Sequence, residues 1–176
     1  MNNTNISFGL AVTIVLAAAS TRFLPHPPNF TAIGSLALFG GVYFSGKHLS
    51  WLIPFVTLLL TDIVLNNFVY HTEFTWYSTG TYLAFGLIYL IGRLLNGRIS
   101  AQTVFAGSFT ASMIFFLVTN IFCWQSMPIY SKDLTGLISC YAAALPYFWN
   151  TLAGDLTFSA VMFGTYYLSI RQTKLV

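Results

Sequence analysis

The sequence predicts an all-α, polytopic membrane protein with six transmembrane helices and one short interfacial or re-entrant helix. Three observations carry that expectation. Of 176 residues, 56% are hydrophobic and only 6% are charged, against about 25% charged in an ordinary soluble domain. The apolar residues fall in long runs such as AVTIVLAAA (residues 11–19) and MIFFLV (113–118), apolar on every face. In lipid only helices satisfy such a backbone from within the segment, and the alternation of a barrel strand is absent. So few charges exclude a soluble enzyme and a disordered chain. A net charge of +3, scattered along the chain, is no footprint for nucleic acid.

The spans follow in order, each judged against the about 20 apolar residues that cross a bilayer. The first covers residues 6–24, and no basic segment precedes it as in a cleavable signal. A second, short and glycine-bearing, covers 31–46. The third covers 49–68, the fourth 79–95 and the fifth 101–124. Residues 134–149 hold Pro146 and are short for a span, so they read as an interfacial or re-entrant helix before a sixth span over 150–170. The whole chain, 1–176, reads as one transmembrane domain.

Basic residues orient it. Lys47, Arg93, Arg98, Arg171 and Lys174 fall on one side, Arg22 and Lys132 on the other. The excess marks the cytoplasmic side, so both termini are expected there. A seventh span would reverse Arg171 and Lys174 and erase the bias.

This topology gathers polar residues in the outer third. Asp62 lies in the third span, Asn120 ends the fifth, and Asn150 and Asp155 begin the sixth. Ionisable groups in a membrane need a partner or a wet cavity, and Arg22 is the available countercharge for one of the aspartates. The outer loops add His26 and Asn29 in a proline-stiffened turn, and His71 among Tyr70, Trp76 and Tyr77. These eight residues, Arg22, His26, Asn29, Asp62, His71, Asn120, Asn150 and Asp155, are expected to line or support an outward cup for a small molecule. The bland readings are a buried Arg–Asp pin and wet interfacial histidines. Cys123 and Cys140 read as packed thiols, with soft-metal ligation as the sharper alternative. His48 reads as interfacial.

Two stripes of small residues permit close helix approach. They comprise Ala11, Val15, Ala18 and Ala19 in the first helix, and Gly34, Ala37, Gly40 and Gly41 in the second. Such stripes serve internal packing or the docking of another membrane subunit. GxSxG, HExxH, Walker A and Rossmann motifs are absent, so neither an enzyme nor a resident metal or cofactor is expected.

The string Arg22-Phe23-Leu24-Pro25-His26-Pro27-Pro28-Asn29-Phe30-Thr31, followed by Ala37-Leu38-Phe39-Gly40-Gly41, resembles a family of small bacterial membrane proteins. So do Thr61-Asp62, Tyr82-Leu83-Ala84-Phe85, Gly92-Arg93, Phe116-Leu117-Val118-Thr119-Asn120, and Ala144-Leu145-Pro146 through Asn150-Thr151-Leu152-Ala153-Gly154-Asp155. That family is more remotely similar to the substrate-binding S-components of energy-coupling-factor vitamin transporters, including solitary cobalamin transporters. The resemblance implies six helices, a ligand site near the outer face, residence in the bacterial inner membrane, and uptake of a vitamin-like compound such as cobalamin. It also implies an energy-coupling membrane subunit docking on helix one. The cobalamin transporters place a cysteine ligand near helix three, where this chain has His71. The alternatives are an accessory or structural subunit of a larger membrane complex, and a membrane enzyme or haem protein using His26 and His71.

Overall fold

The computed structural model describes residues 3–44, 51–72 and 76–173, and all regular structure among them is helical. Lys47, His48, Glu73 and Lys174 lie outside the described residues. Helix α1 (Asn3–Ser20) ends in a single 3₁₀ turn, Thr21–Phe23. Then come α2 (Ile33–Tyr43) and α3 (Leu52–Leu65), the latter prolonged by a π-helical turn, Asn66–Tyr70. Helices α4 (Trp76–Leu95), α5 (Ala101–Ser126) and α6 (Leu134–Thr173) complete the bundle.

The central helix is α2. Every residue from Ile33 to Val42 is buried, and α2 packs against each of the other five helices. Its small residues make that possible. A Cβ on Gly41 would lie 2.8 Å from Cα of Gly92, and one on Gly40 would lie 2.7 Å from the Pro54 ring. Helices α2 and α4 therefore meet backbone to backbone, the close approach that small residues allow in membranes. The alanine stripe of α1 is used in the same way. Ala11, Val15, Ala18 and Ala19 are buried, and α1 packs on α2, α3 and α6. Both stripes are thus consumed inside this chain. Below them Phe39 meets Phe163 and Tyr166 edge-on.

Outward faces are apolar. Leu59, Leu60, Ile63, Leu87, Leu90, Leu94, Phe105 and Phe109 are exposed, as expected of surface meant for lipid rather than water. Three stretches, Leu52–Tyr70, Ser78–Leu95 and Ala101–Ser126, are long and apolar enough to cross a bilayer. Phe8–Phe23 and Ile33–Tyr43 are apolar but shorter.

One expectation needs correction. Residues 134–149 are not a separate interfacial or re-entrant helix. They form the first part of α6, which runs unbroken for 40 residues through Pro146, a length of about 60 Å at the helical rise. A proline in a helix forfeits one backbone bond and crowds the preceding turn, at about 3 kcal/mol or more. Here α5 acts as a splint across the weak point. The Tyr141 hydroxyl donates to the Leu117 carbonyl at 2.5 Å. Phe116 packs edge-on against both Tyr141 and Phe148, one on each side of Pro146.

The α5–α6 connection is tied down by its own side chains. Asp133 caps α6, its Oδ1 accepting from Gly136 N–H and from the Ser131 hydroxyl, both at 2.8 Å. Those bonds, the amide first, hold its carboxyl below the usual carboxylate range. Lys132 Nζ donates to the Trp124 and Met127 carbonyls, satisfying orphan acceptors at the end of α5.

Candidate functional site, a cavity between two helices

Two polar knots and one cavity take up most of the polar residues singled out from sequence, the two histidines excepted. The first knot joins the end of α1 to α3 and α4. Arg22 Nη1 donates to the Thr61 hydroxyl, and Nη2 to Asp62 Oδ1 at 2.5 Å. Tyr82 OH donates to Asp62 Oδ2 at 2.7 Å. The Arg22 and Asp62 side chains are only 9% and 14% exposed. Asp62, not Asp155, is therefore the partner of Arg22.

The second knot surrounds Asp155, which is fully buried on α6. Oδ1 accepts from the Ser35 backbone N–H at 3.1 Å, and Oδ2 from the Ser112 hydroxyl at 2.7 Å. The Ser35 hydroxyl donates to the Asp155 backbone carbonyl at 2.9 Å and accepts from Ser159 at 3.1 Å. The partners are thus amide and hydroxyl dipoles. Helix α2 has no side-chain cap of its own at Ala32, and the Asp155 carboxyl group supplies one from another helix by accepting the Ser35 N–H. Gly34 leaves the room: a Cβ there would sit 2.7 Å from the Asp155 carboxyl carbon.

The proline-rich turn is seated beside this cap. Phe30 N–H donates to the Pro27 carbonyl at 3.0 Å, and Asn29 has φ of 63°. Pro28 and Asn29 thus occupy the two central positions of a type II turn, where proline presets the first and a left-handed residue is required at the second. Asn150 Nδ2 donates to the Pro28 carbonyl at 2.9 Å. One turn further along α6, Gly154 lets the Thr31 backbone approach, since a Cβ would lie 3.0 Å from Thr31 N. Asn150, Gly154 and Asp155 thus anchor the turn, the strand of chain after it and the start of α2.

Helix α1 ends before this turn and α2 begins after it, while α5 and α6 continue past it. A cavity of about 390 Å³ opens there. Its walls are Phe115, Phe116, Thr119, Asn120, Cys123, Met127 and Tyr130 from α5 and the loop. From α6 come Cys140, Ala143, Ala144, Tyr147, Phe148 and Thr151, and Asn29 closes it from the turn. Ala143 and Ala144 supply the space, and aromatic rings supply most of the rest. Asn120 Nδ2 donates within its helix to the Phe116 carbonyl at 2.7 Å.

Of the eight residues expected at the cup, Asn29 and Asn120 are on the cavity wall. Asn150 and Asp155 hold the rim from behind. Arg22 and Asp62 form the separate α1–α3 pin. His26 is half-exposed, with Nδ1 3.0 Å from the Pro27 carbonyl oxygen. His71 is exposed, at φ of 50° after the π turn. Neither histidine lines the cavity. Among the described residues, no three His, Cys, Asp or Glu side chains come together. The cysteines, Met127 and Phe148 were missed as wall residues, although a signal existed. Phe116, Asn120, Cys123 and Met127 repeat at four, three and four residues. Cys140, Ala144, Tyr147 and Thr151 do the same, so each set forms one helical stripe.

No curated protein and no solved structure matches the chain. A family model does match, over residues 2–175, and the chain belongs to that family, a family of unknown function designated DUF6580.

Proposed function

We propose that this is a membrane uptake protein of the S-component type, holding a small vitamin-like ligand in the α5–α6 cavity before passing it inward. The observation that carries this reading is the cavity itself. Its volume of about 390 Å³ falls within the roughly 300–1,000 Å³ of small-molecule sites. Its aromatic faces, with amide and hydroxyl groups from Asn29, Asn120, Thr119 and Thr151, suit a flat, partly polar ligand. The size favours one or two rings over a corrinoid. Six crossings of the bacterial inner membrane with cytoplasmic termini complete the proposal, with Arg93, Arg98 and Arg171 on the inner side. An energy-coupling subunit would dock on the outward face of α1, around Leu16, since the alanine stripe is internal. No covalent chemistry is assigned.

The test is a thermal-shift screen of the purified protein in mild detergent against water-soluble vitamins, with Ala144→Phe alongside. A ligand at about 100 times its Kd adds about 2.7 kcal/mol to stability. Its shift should vanish in Ala144→Phe, which fills the cavity without touching either knot. A folded protein that responds to no compound would instead point to an accessory or structural subunit of a larger membrane complex. The Arg22–Asp62 pin, paired inside the bundle and away from the cavity, suits that second reading.

A further inference from the structure

Three sulfur-bearing side chains, Cys123, Met127 and Cys140, line the cavity. Cys123 Sγ lies 3.6 Å from Met127 Sδ, as donor to it. Cys140, on α6, lines the same cavity as Cys123 on α5. Cys140 is buried and donates to the Asn120 carbonyl at 3.6 Å. Neither cysteine is in a disulfide. A shared function explains this arrangement better than chance packing. The two thiols come from different helices, and the thioether comes from the loop that joins them. Met127 is 43% exposed, so it is not there to fill a core gap. Thiolate and thioether together form a soft donor set of the kind that takes Cu(I), and three sulfurs fall short of the four-ligand shell of structural zinc.

We propose that Cys123, Cys140 and Met127 form a binding site for one soft monovalent cation, Cu(I), with Ag(I) as its redox-inert equivalent. Binding replaces two S–H protons by one metal ion, so the two protons leave to solvent and the site gains one net negative charge. No oxidant or reductant takes part. Lys132 supplies a countercharge nearby: its Nζ is fixed on the Met127 carbonyl at 2.8 Å. The half-buried Cys123 and the exposed Met127 give the ion a way in from the loop side. This inference stands on the sulfurs alone and holds whether or not an organic ligand occupies the cavity behind them.

The experiment uses the full chain in mild detergent, reduced, desalted and handled without oxygen. Cu(I) is presented as its bicinchoninate complex, and loss of the coloured complex reports transfer to the protein. One equivalent should transfer to the wild type and none to Cys123→Ser/Cys140→Ser. Met127→Leu should weaken binding by about tenfold, through loss of one of three soft donors. X-ray absorption should show sulfur neighbours only. Should the double variant fail to fold, Ag(I) should still protect both thiols of the wild type from a maleimide. Met127→Leu, whose side chain is partly exposed, keeps the fold testable. Three results would each overturn the site: transfer that persists in a folded double variant, no transfer to reduced wild type, or thiols that Ag(I) leaves reactive. A Cys123–Cys140 disulfide in the untreated protein, with no metal binding after reduction, would reassign the pair as a covalent staple. In that event vitamin-induced thermal shifts would survive. Failure of those shifts with Cu(I) transfer intact would sink the uptake reading and leave the metal site standing.

Discussion

Removing Asp62 should be the most damaging single change in the polar framework. In Asp62→Ala the Arg22 guanidinium keeps only the Thr61 hydroxyl, its Nε already being buried without a partner. The side chain is 9% exposed, so water cannot take over. Breaking a buried ion pair from one side costs about 3–5 kcal/mol, because an uncompensated charge stays behind. At about 2–4 °C per kcal/mol for a chain of this size, the melting temperature should fall by roughly 6–20 °C. Removing both charges should behave differently. Arg22→Met/Asp62→Leu leaves no orphan charge and should recover most of the loss. The Tyr82 hydroxyl then loses Asp62 as an acceptor, a cost of about 1–3 kcal/mol that Tyr82→Phe in the same background should relieve. Intrinsic tryptophan fluorescence during thermal unfolding in one detergent reads all four proteins. A cost for Asp62→Ala below about 1 kcal/mol, the range of an exposed pair, would refute the account. So would a double variant no more stable than Asp62→Ala.

Other consequences can be tested on the same preparation. Asn29→Ala places an ordinary side chain at φ of 63° and should cost about 1–2 kcal/mol, whereas Asn29→Gly should keep the turn; paired melting curves decide. Gly34→Ala drives a methyl into the Asp155 carboxylate and should cost at least the about 1–3 kcal/mol of overpacking. Rescue by Gly34→Ala/Asp155→Ser, and not by a change elsewhere, would locate the clash. The Asp133 cap has a carboxyl held below its ordinary value. Its contribution should therefore be complete above the unfolded pKa of about 3.9 and be lost as pH falls through the lower folded value. Hydrogen exchange at Gly136 should accelerate only under those acid conditions, and Asp133→Ser should remove the pH dependence while keeping a cap.

What was legible in the sequence depended on how local the cause was. The type II turn could be read from Pro28-Asn29 alone, because its two central residues carry their own conformational demands. The Arg22–Asp62 pair was legible as one of two options, since a lone cation among apolar spans must find an anion. The partner of Asp155 was not. Its donors lie on α2 and α5, and Ser35 is 120 residues away in the chain. A helix N-terminus used as a hydrogen-bond donor has no residue type to betray it. The continuity of α6 was hidden for a related reason. Pro146 argues locally for a break, and the splint of Leu117 and Phe116 exists only once α5 lies alongside. The cavity is hard to read from sequence because charged residues draw attention. Its walls are aromatics, alanines and thiols, whose helical spacing is visible but whose chemistry is quiet.

The Arg22 knot and the Asn150 contact should separate in function although both are polar. The Arg22 knot joins α1, α3 and α4 and contributes no atom to the cavity. The Asn150 contact fixes the turn whose next residue, Asn29, does. Breaking the second should therefore loosen a cavity wall while sparing the bundle. In Asn150→Ala the Pro28 carbonyl loses one donor, about 0.5–1.5 kcal/mol, a small loss for the fold as a whole. For any compound found to bind, Asn150→Ala should weaken affinity by more than its own cost in stability would suggest, because Asn29 then samples positions away from the site. Conservative changes in the Arg22 knot that leave the protein folded, such as Tyr82→Phe, should lower the melting temperature and leave affinity unchanged. Affinity that follows Tyr82→Phe, or ignores Asn150→Ala, would mean that the rim is not built from the turn.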